Sequence, residues 1–139
     1  MKRYMRSALA YAVAAMVGGV FYRELTRYLG FTSQTTLAFV HTHYFMLGMV
    51  LFLLLVPLER SFAFTCAATG RVLCAYHAGL NLTAAMLVAR GLTQVLRTDL
   101  PAGMSAAISG LAGVGHTLLG VSLVLILLQV RSAVVRAER

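Results

Sequence analysis

Four apolar stretches constrain this chain more than any other feature, because each is close to the roughly 20 residues that a helix needs to cross a bilayer. They cover residues 7–22, 36–58, 72–96 and 106–130. Of the 139 residues, 60% are hydrophobic and only 12% are charged, which is far too apolar for a soluble domain of this size. Because lipid offers no hydrogen bonds to the backbone, apolar spans fold as helices. The sequence predicts one all-α domain over residues 1–139, an integral membrane four-helix bundle.

The first apolar stretch is the shortest, and its basic start at Lys2, Arg3 and Arg6 resembles that of a signal peptide. No small-residue cleavage site precedes a soluble domain, and the charged pair Arg23-Glu24 follows almost directly. We therefore expect a retained membrane helix.

The net charge of +8 is distributed unevenly between the two ends of the predicted bundle. Eight basic residues fall on the side of the termini: Lys2, Arg3, Arg6, Arg60, Arg71, Arg131, Arg136 and Arg139. Four fall on the other side: Arg23, Arg27, Arg90 and Arg97. The positive-inside rule predicts a multi-pass protein of a bacterial inner membrane with both termini in the cytoplasm. The charge is thus explained by membrane topology. The lipid bilayer is the expected partner, and no nucleic-acid partner is expected.

His41 and His43 lie inside the second apolar stretch. A titratable side chain in hydrocarbon costs several kcal/mol, about 2.5 or more for the charged types, so such residues indicate a functional site. Positions i and i+2 of a helix point about 200° apart, so the two rings cannot easily hold one ion together. Their spacing predicts two ligand-facing surfaces.

Depth separates the four histidines into two groups. At about 1.5 Å of rise per residue, His41 and His43 lie roughly 8–11 Å below the outer surface and His116 about 15 Å below it. His77 lies roughly 8–9 Å from the inner surface, so we expect it to make a polar contact, with Asn81 one turn on as a candidate partner.

Three explanations compete for His41, His43 and His116. Interhelical hydrogen bonds are the simplest. A zinc or copper site is the second, with Met46 or Met49 as additional copper ligands, but no carboxylate or cysteine lies at this depth. The third is b-type haem with axial histidines from different helices.

A stripe of small residues surrounds His116 on one helix face: Ser109, Gly113, His116 and Gly120. Close packing against another helix is one explanation. The other is space for a flat, bulky ligand beside the histidine, with Gly113 at its border.

Haem propionates need cationic partners, and arginines lie at the outer helix ends. Arg23 and Arg90 are the candidates, and Arg90 falls just inside its apolar stretch. Snorkelling, or an ion pair with Glu24, explains Arg90 equally well.

Cys66 and Cys74 fall near the inner end of the third stretch, where a reducing compartment disfavours a disulfide. We expect them to be small buried hydrophobic residues.

Along nearly its whole length the chain resembles a family of small four-helix bacterial membrane proteins catalogued as a domain of unknown function. The segments that carry the resemblance are 19–24, 34–37, 41–43 with 47–48, 90–95 and 108–116. The resemblance implies the four-helix fold and no established activity.

A shorter stretch, residues 41–52, is similar to the haem-ligating helix of haem-copper oxidase and nitric oxide reductase large subunits. In that family an H-x-H-Y-like stretch presents two histidines to haems on opposite sides of one helix. The resemblance implies that His41 and His43 face haems, that Gly48 in the same stretch lies beside one, and that a homotrimer imitates the three four-helix arcs of the larger subunit. No copper-site histidine pair or cross-linked tyrosine is matched.

The sequence therefore predicts a homo-oligomeric membrane protein that binds haem b through His41 and His43, with His116 as an alternative or additional ligand. Electron transfer with an unknown redox partner, or haem or gas sensing, is the expected role. A membrane protein that binds or transports copper or zinc, or a structural protein without cofactor, is the alternative.

Overall fold

Four long helices make up the protein, which we describe over residues 1–139 from a computed structural model. They are α1 (Lys2–Tyr28), α2 (Ala38–Phe62), α3 (Thr69–Val95) and α4 (Ala102–Ala137), and each is long and apolar enough to cross a membrane. There is no strand, which confirms the all-α four-helix prediction. Most helix ends lie beyond the predicted spans, since apolarity marks only the part that lipid surrounds while good helix formers continue the turn outside it.

The helices run up and down, so both chain termini lie at one end of the bundle together with the connection 63–68. We call this the terminal end, and the opposite end, with connections 29–37 and 96–101, the loop end. Tyr4 Oη lies 2.8 Å from Thr65 Oγ1 at the terminal end. At the loop end Thr35 Oγ1 donates a hydrogen bond to the carbonyl of Gly91 at 3.1 Å.

Helices α3 and α4 pack against each other most extensively. Their backbones approach closely at Gly79 and Gly115: a Cβ on Gly79 would lie 2.6 Å from the amide nitrogen of Leu119, and one on Gly115 would lie 2.9 Å from that of Thr83. Small residues allow this approach, which supplies much of the packing energy between helices in a membrane.

Aromatic rings fill the space between α1, α2 and α3. Phe52 of α2 is fully buried, and its ring centre lies 5.8 Å from that of Tyr11 and 6.5 Å from that of Tyr4. Tyr4 also stacks on Phe64 at 5.9 Å. This cluster ties α1 to the rest of the bundle.

Helix α2 widens into a π-helical segment at Tyr44–Val50, directly after His43. The Tyr76 hydroxyl donates to the carbonyl of Leu47 at 2.7 Å. Such segments often lie at functional sites. Pro57 lies inside α2, which continues to Phe62.

Candidate functional site

His43 of α2 and His116 of α4 form the closest pair of histidines in the protein. Their ring centres are 6.0 Å apart and their planes are nearly perpendicular, at 89°. His43 is partly buried and His116 is exposed on the surface that faces lipid. The sequence places both residues in the outer half of the bundle, and only the structure shows that they pair.

The hydrogen bonds of these two rings fix their tautomers. Nδ1 of His43 lies 2.8 Å from the carbonyl oxygen of Phe39, and Nδ1 of His116 lies 2.9 Å from that of Ala112. A carbonyl oxygen only accepts, so each Nδ1 carries the proton. Each Nε2 therefore keeps a free lone pair, the arrangement in which histidines bind metals and haem iron.

The surface beside His116 is open. A Cβ on Gly113 or on Gly120 would meet no atom within 4 Å. A shallow groove of about 530 Å³ runs along α4 between Gly113 and Val121, and of the small residues in the stripe only Gly113 lines it. This volume falls within the range of about 300–1,000 Å³ found for cofactor sites.

Close packing within the chain does not explain this stripe of small residues. The glycines whose missing side chains lie against a neighbouring backbone are instead Gly79, Gly91 and Gly115.

Gly48 does not border an open site, contrary to expectation. A Cβ at this position would lie 2.5 Å from Cγ of Tyr11, whose ring occupies the space above the glycine. Gly48 lets α1 and α2 approach and is unavailable to a ligand.

His41 points away from His43, as the spacing predicts. Its Cβ and Cγ lie 3.6 and 3.7 Å from the position of a Cβ on Gly19, so its ring packs on α1. Its Nδ1 is buried and has no hydrogen-bond partner. The structure thus assigns the two histidines to different surfaces and pairs only His43 with His116.

Arg90 is held at the loop end of α4 by three hydrogen bonds. Its guanidinium donates to the hydroxyl of Ser105 at 2.9 Å, to the carbonyl of the same residue at 2.9 Å, and to the hydroxyl of Ser109 at 2.8 Å. Ser109 precedes His116 by seven residues, or about 10.5 Å of helix. A fixed positive charge therefore lies on the same face as the histidine pair, and Arg90 makes no ion pair with Glu24.

Arg23 lies on α1, with 76% of its side chain exposed. Its Nε is 3.8 Å from a carboxylate oxygen of Glu24, the single ion pair of the protein. At this exposure the pair contributes little to stability.

A second polar cluster, which the sequence only partly predicts, lies between α1, α2 and α3. The hydroxyl of Tyr11 is 2.6 Å from Nδ1 of His77, and Nδ2 of Asn81 donates to that hydroxyl at 3.1 Å and to the carbonyl of His77 at 2.8 Å. Tyr44 donates to Oδ1 of Asn81 at 3.1 Å. The expected contact of His77 with Asn81 is confirmed. The two tyrosines were missed, since their pattern is that of ordinary core aromatics.

The donor and the acceptor of each hydrogen bond in this cluster follow from the groups involved. The carbonyl of His77 can only accept, which fixes the amide orientation of Asn81. The Tyr11 oxygen thus accepts from Asn81, and its own hydrogen has one acceptor, Nδ1 of His77. Neutral His77 then carries its proton on Nε2.

No group of three or more His, Cys, Asp or Glu side chains is placed to hold a metal ion. The groups at the His43–His116 pair are two imidazoles, with a guanidinium two turns away and no carboxylate.

Both cysteines are free and exposed, so the expectation that they are buried is wrong. Hydrogen bonds from the side chain of Thr69 and the backbone at Ala68 lower the pKa of the Cys66 thiol, and Arg136 adds to the effect.

The model of a family described as "Protein of unknown function (DUF2871)" matches residues 1–133. The chain therefore belongs to this family of unknown function. No curated protein and no solved structure matches the chain significantly.

Proposed function

We propose that this member of a family of unknown function is a membrane haem protein that carries b-type haem on the His43–His116 pair. The observation that supports the proposal is the tautomer of both rings: each Nδ1–H is bound to its own helix, and each Nε2 is free as a ligand. Bound haem would supply reversible one-electron chemistry or a gas-binding iron.

The ring centres of His43 and His116 lie 6.0 Å apart, so the two side chains are close enough to hold one haem together. Histidines from different helices are ligands that haem iron commonly takes. Gly113 leaves the surface beside His116 free for a flat macrocycle.

The charges around the pair favour haem over a bare metal ion. A divalent cation would gain from a carboxylate, and none lies at the pair, whereas Arg90 supplies a positive charge that suits a propionate. Copper or zinc on the same two nitrogens is the competing proposal, since the lone pairs suit those metals too.

The role of the protein's own residues is to hold and shield the cofactor. The carbonyls of Phe39 and Ala112 orient the two rings and increase the basicity of Nε2. We propose electron transfer, or haem or gas sensing, at the bacterial inner membrane, with both termini and the eight basic residues of the terminal end in the cytoplasm.

We also propose a homo-oligomer, a trimer by the resemblance to the larger subunit. His41 does not mark its interface, because the ring packs on α1 of the same chain.

Visible absorption of the purified protein tests the haem proposal directly. Protein from haem-replete cells should show a Soret band, which His43→Ala and His116→Ala should each largely abolish. His77→Phe, a histidine substitution in the other polar cluster, should leave the band in place. A colourless protein that takes up no haem on reconstitution would refute the proposal, and stoichiometric copper or zinc in that protein would favour the metal-ion alternative.

A further inference from the structure

The cluster around His77 ends at a cleft that the haem proposal does not use. The cleft has a volume of about 320 Å³ and lies between α1, α2 and α3 near the terminal end. Its lining includes Arg3, Tyr4, Ser7, Phe52, Leu73 and His77. Since His77 follows the first residue of α3 by eight positions, the cleft reaches about 12 Å along the helix.

One hydrogen-bond donor inside this cleft, Nε2 of His77, has no acceptor in the protein. Because Tyr11 donates to Nδ1, the proton of His77 is on Nε2, and Nε2 has no partner in the protein. Only two buried polar side-chain atoms lack a partner, Nδ1 of His41 and Oγ1 of Thr83. Nε2 of His77 is not one of them, so this atom is not buried and is accessible from outside the protein. A donor at this depth gains from a ligand that brings an acceptor.

The half-buried imidazole of His77 is the aromatic ring that a ligand in this cleft can reach, because Phe52 and Tyr4 are fully buried. The rings of Phe52 and His77 are parallel, with an angle of 3° and centres 4.8 Å apart. Tyr4 lies on the other side of Phe52, and Leu73 adds an aliphatic surface. A planar ring that enters the cleft can stack on the His77 imidazole, which Phe52 supports from behind.

The entrance supplies further donors and no acid. Arg3 donates to the hydroxyl of Tyr4 at 3.1 Å, and its guanidinium lies 5.0 Å from the centre of that ring. Ser7 lines the cleft as well, and no carboxylate does. The site therefore disfavours cations and favours a molecule with hydrogen-bond acceptors at both ends of a flat ring.

We propose that this cleft binds the ring of a lipid-soluble quinone, with one carbonyl accepting from Nε2 of His77 and the other directed to Arg3 and Ser7. The isoprenoid tail leaves along the apolar wall into the bilayer. The binding itself does not depend on haem, although a quinone would serve as the electron donor or acceptor that an electron-transfer role requires.

Binding of decylubiquinone to the full-length protein in phosphatidylcholine nanodiscs tests this site. His77→Phe keeps a ring against Phe52 but removes the donor, and we expect it to raise the Kd at least about tenfold. Gly70→Phe should do the same by filling the cleft, because Gly70 lines it and a Cβ there meets no atom within 4 Å. Gly103→Phe is the matched control, since Gly103 is equally open but lies at the loop end of α4, and it should leave the Kd unchanged.

Failure of this proposal is distinguishable from failure of the haem proposal. His77→Phe should lose quinone and keep the Soret band, whereas His116→Phe should lose the band and keep quinone affinity. The absence of saturable quinone binding, an unchanged Kd in both His77→Phe and Gly70→Phe, or an equal loss in Gly103→Phe would overturn the site. Displacement of the quinone by phosphatidylglycerol alone, at equal strength in wild type and His77→Phe, would identify a lipid site instead.

Discussion

The two polar regions of this bundle use histidine in opposite ways. At the His43–His116 pair each ring is bound only to a carbonyl of its own helix, so the contact between α2 and α4 adds no hydrogen bond. At the His77 cluster, side chains of α1, α2 and α3 bond to one another. The second region connects helices, whereas the first leaves its nitrogens available.

This difference shows that a histidine in a membrane helix does not by itself indicate which kind of ligand it would bind. What separates the two cases is the partner of each ring nitrogen. An imidazole with Nδ1–H on a backbone carbonyl presents a lone pair, while His77 accepts from Tyr11 and presents a proton. The first suits iron or another metal, and the second suits a carbonyl oxygen.

The largest expected effect is a difference in the free energy of unfolding between substitutions of one glycine from each region. In Gly48→Ala the new methyl would lie 2.5 Å from Cγ of Tyr11, so the ring must move and its bonds to His77 and Asn81 must weaken. We expect a loss of about 1–3 kcal/mol in the free energy of unfolding. Gly113→Ala should instead be neutral or gain up to about 1 kcal/mol, because alanine favours helix and the position is open. Reversible unfolding in mixed micelles measures both, and equal destabilisation would contradict the contrast.

A smaller effect is expected from double-mutant cycles across the two ring pairs. Tyr11→Phe combined with His77→Phe should show a coupling of about 0.6 kcal/mol, with about 1.7 as the upper bound, because their hydroxyl–imidazole bond joins two helices. His43→Phe combined with His116→Phe, measured without haem, should show almost none. A coupling at the second pair as large as at the first would mean that His43 and His116 stabilise the bundle and are not a reserved ligand pair.

The smallest expected effect is a change in the labelling rate of Cys66 without a change in stability. This measurement shows which region lies nearer the cytoplasm. Cys66 is exposed in the connection at the terminal end, so a membrane-impermeant maleimide should label it in inverted vesicles and not in intact spheroplasts. Its lowered pKa keeps more thiolate as the pH falls, so labelling should persist to a lower pH than for an ordinary thiol. Replacing Thr69 by Val should remove this difference, since the Thr69 side chain is the main cause. Labelling from the outside would reverse the proposed topology.

The sequence predicts the fold well because each span must satisfy its own backbone in lipid, a requirement that depends only on local composition. Residues 106–130 lie wholly within α4, and residues 7–22 lie wholly within α1. The opposed directions of His41 and His43 follow in the same way from the geometry of one helix. The roles of individual glycines do not follow from the sequence. Gly48 and Gly113 look alike there, and only the structure shows that the Tyr11 ring packs on Gly48 while no atom lies against Gly113.

What the sequence by itself determines is therefore the number of spans, the position of each histidine along its helix and the total charge. Which side chains meet across helices is decided only by the tertiary structure: His43 with His116, Tyr11 with His77, Arg90 with Ser109. The reason is that depth in the bilayer follows from counting residues along one helix, whereas the rotation of each helix is set by packing against its neighbours.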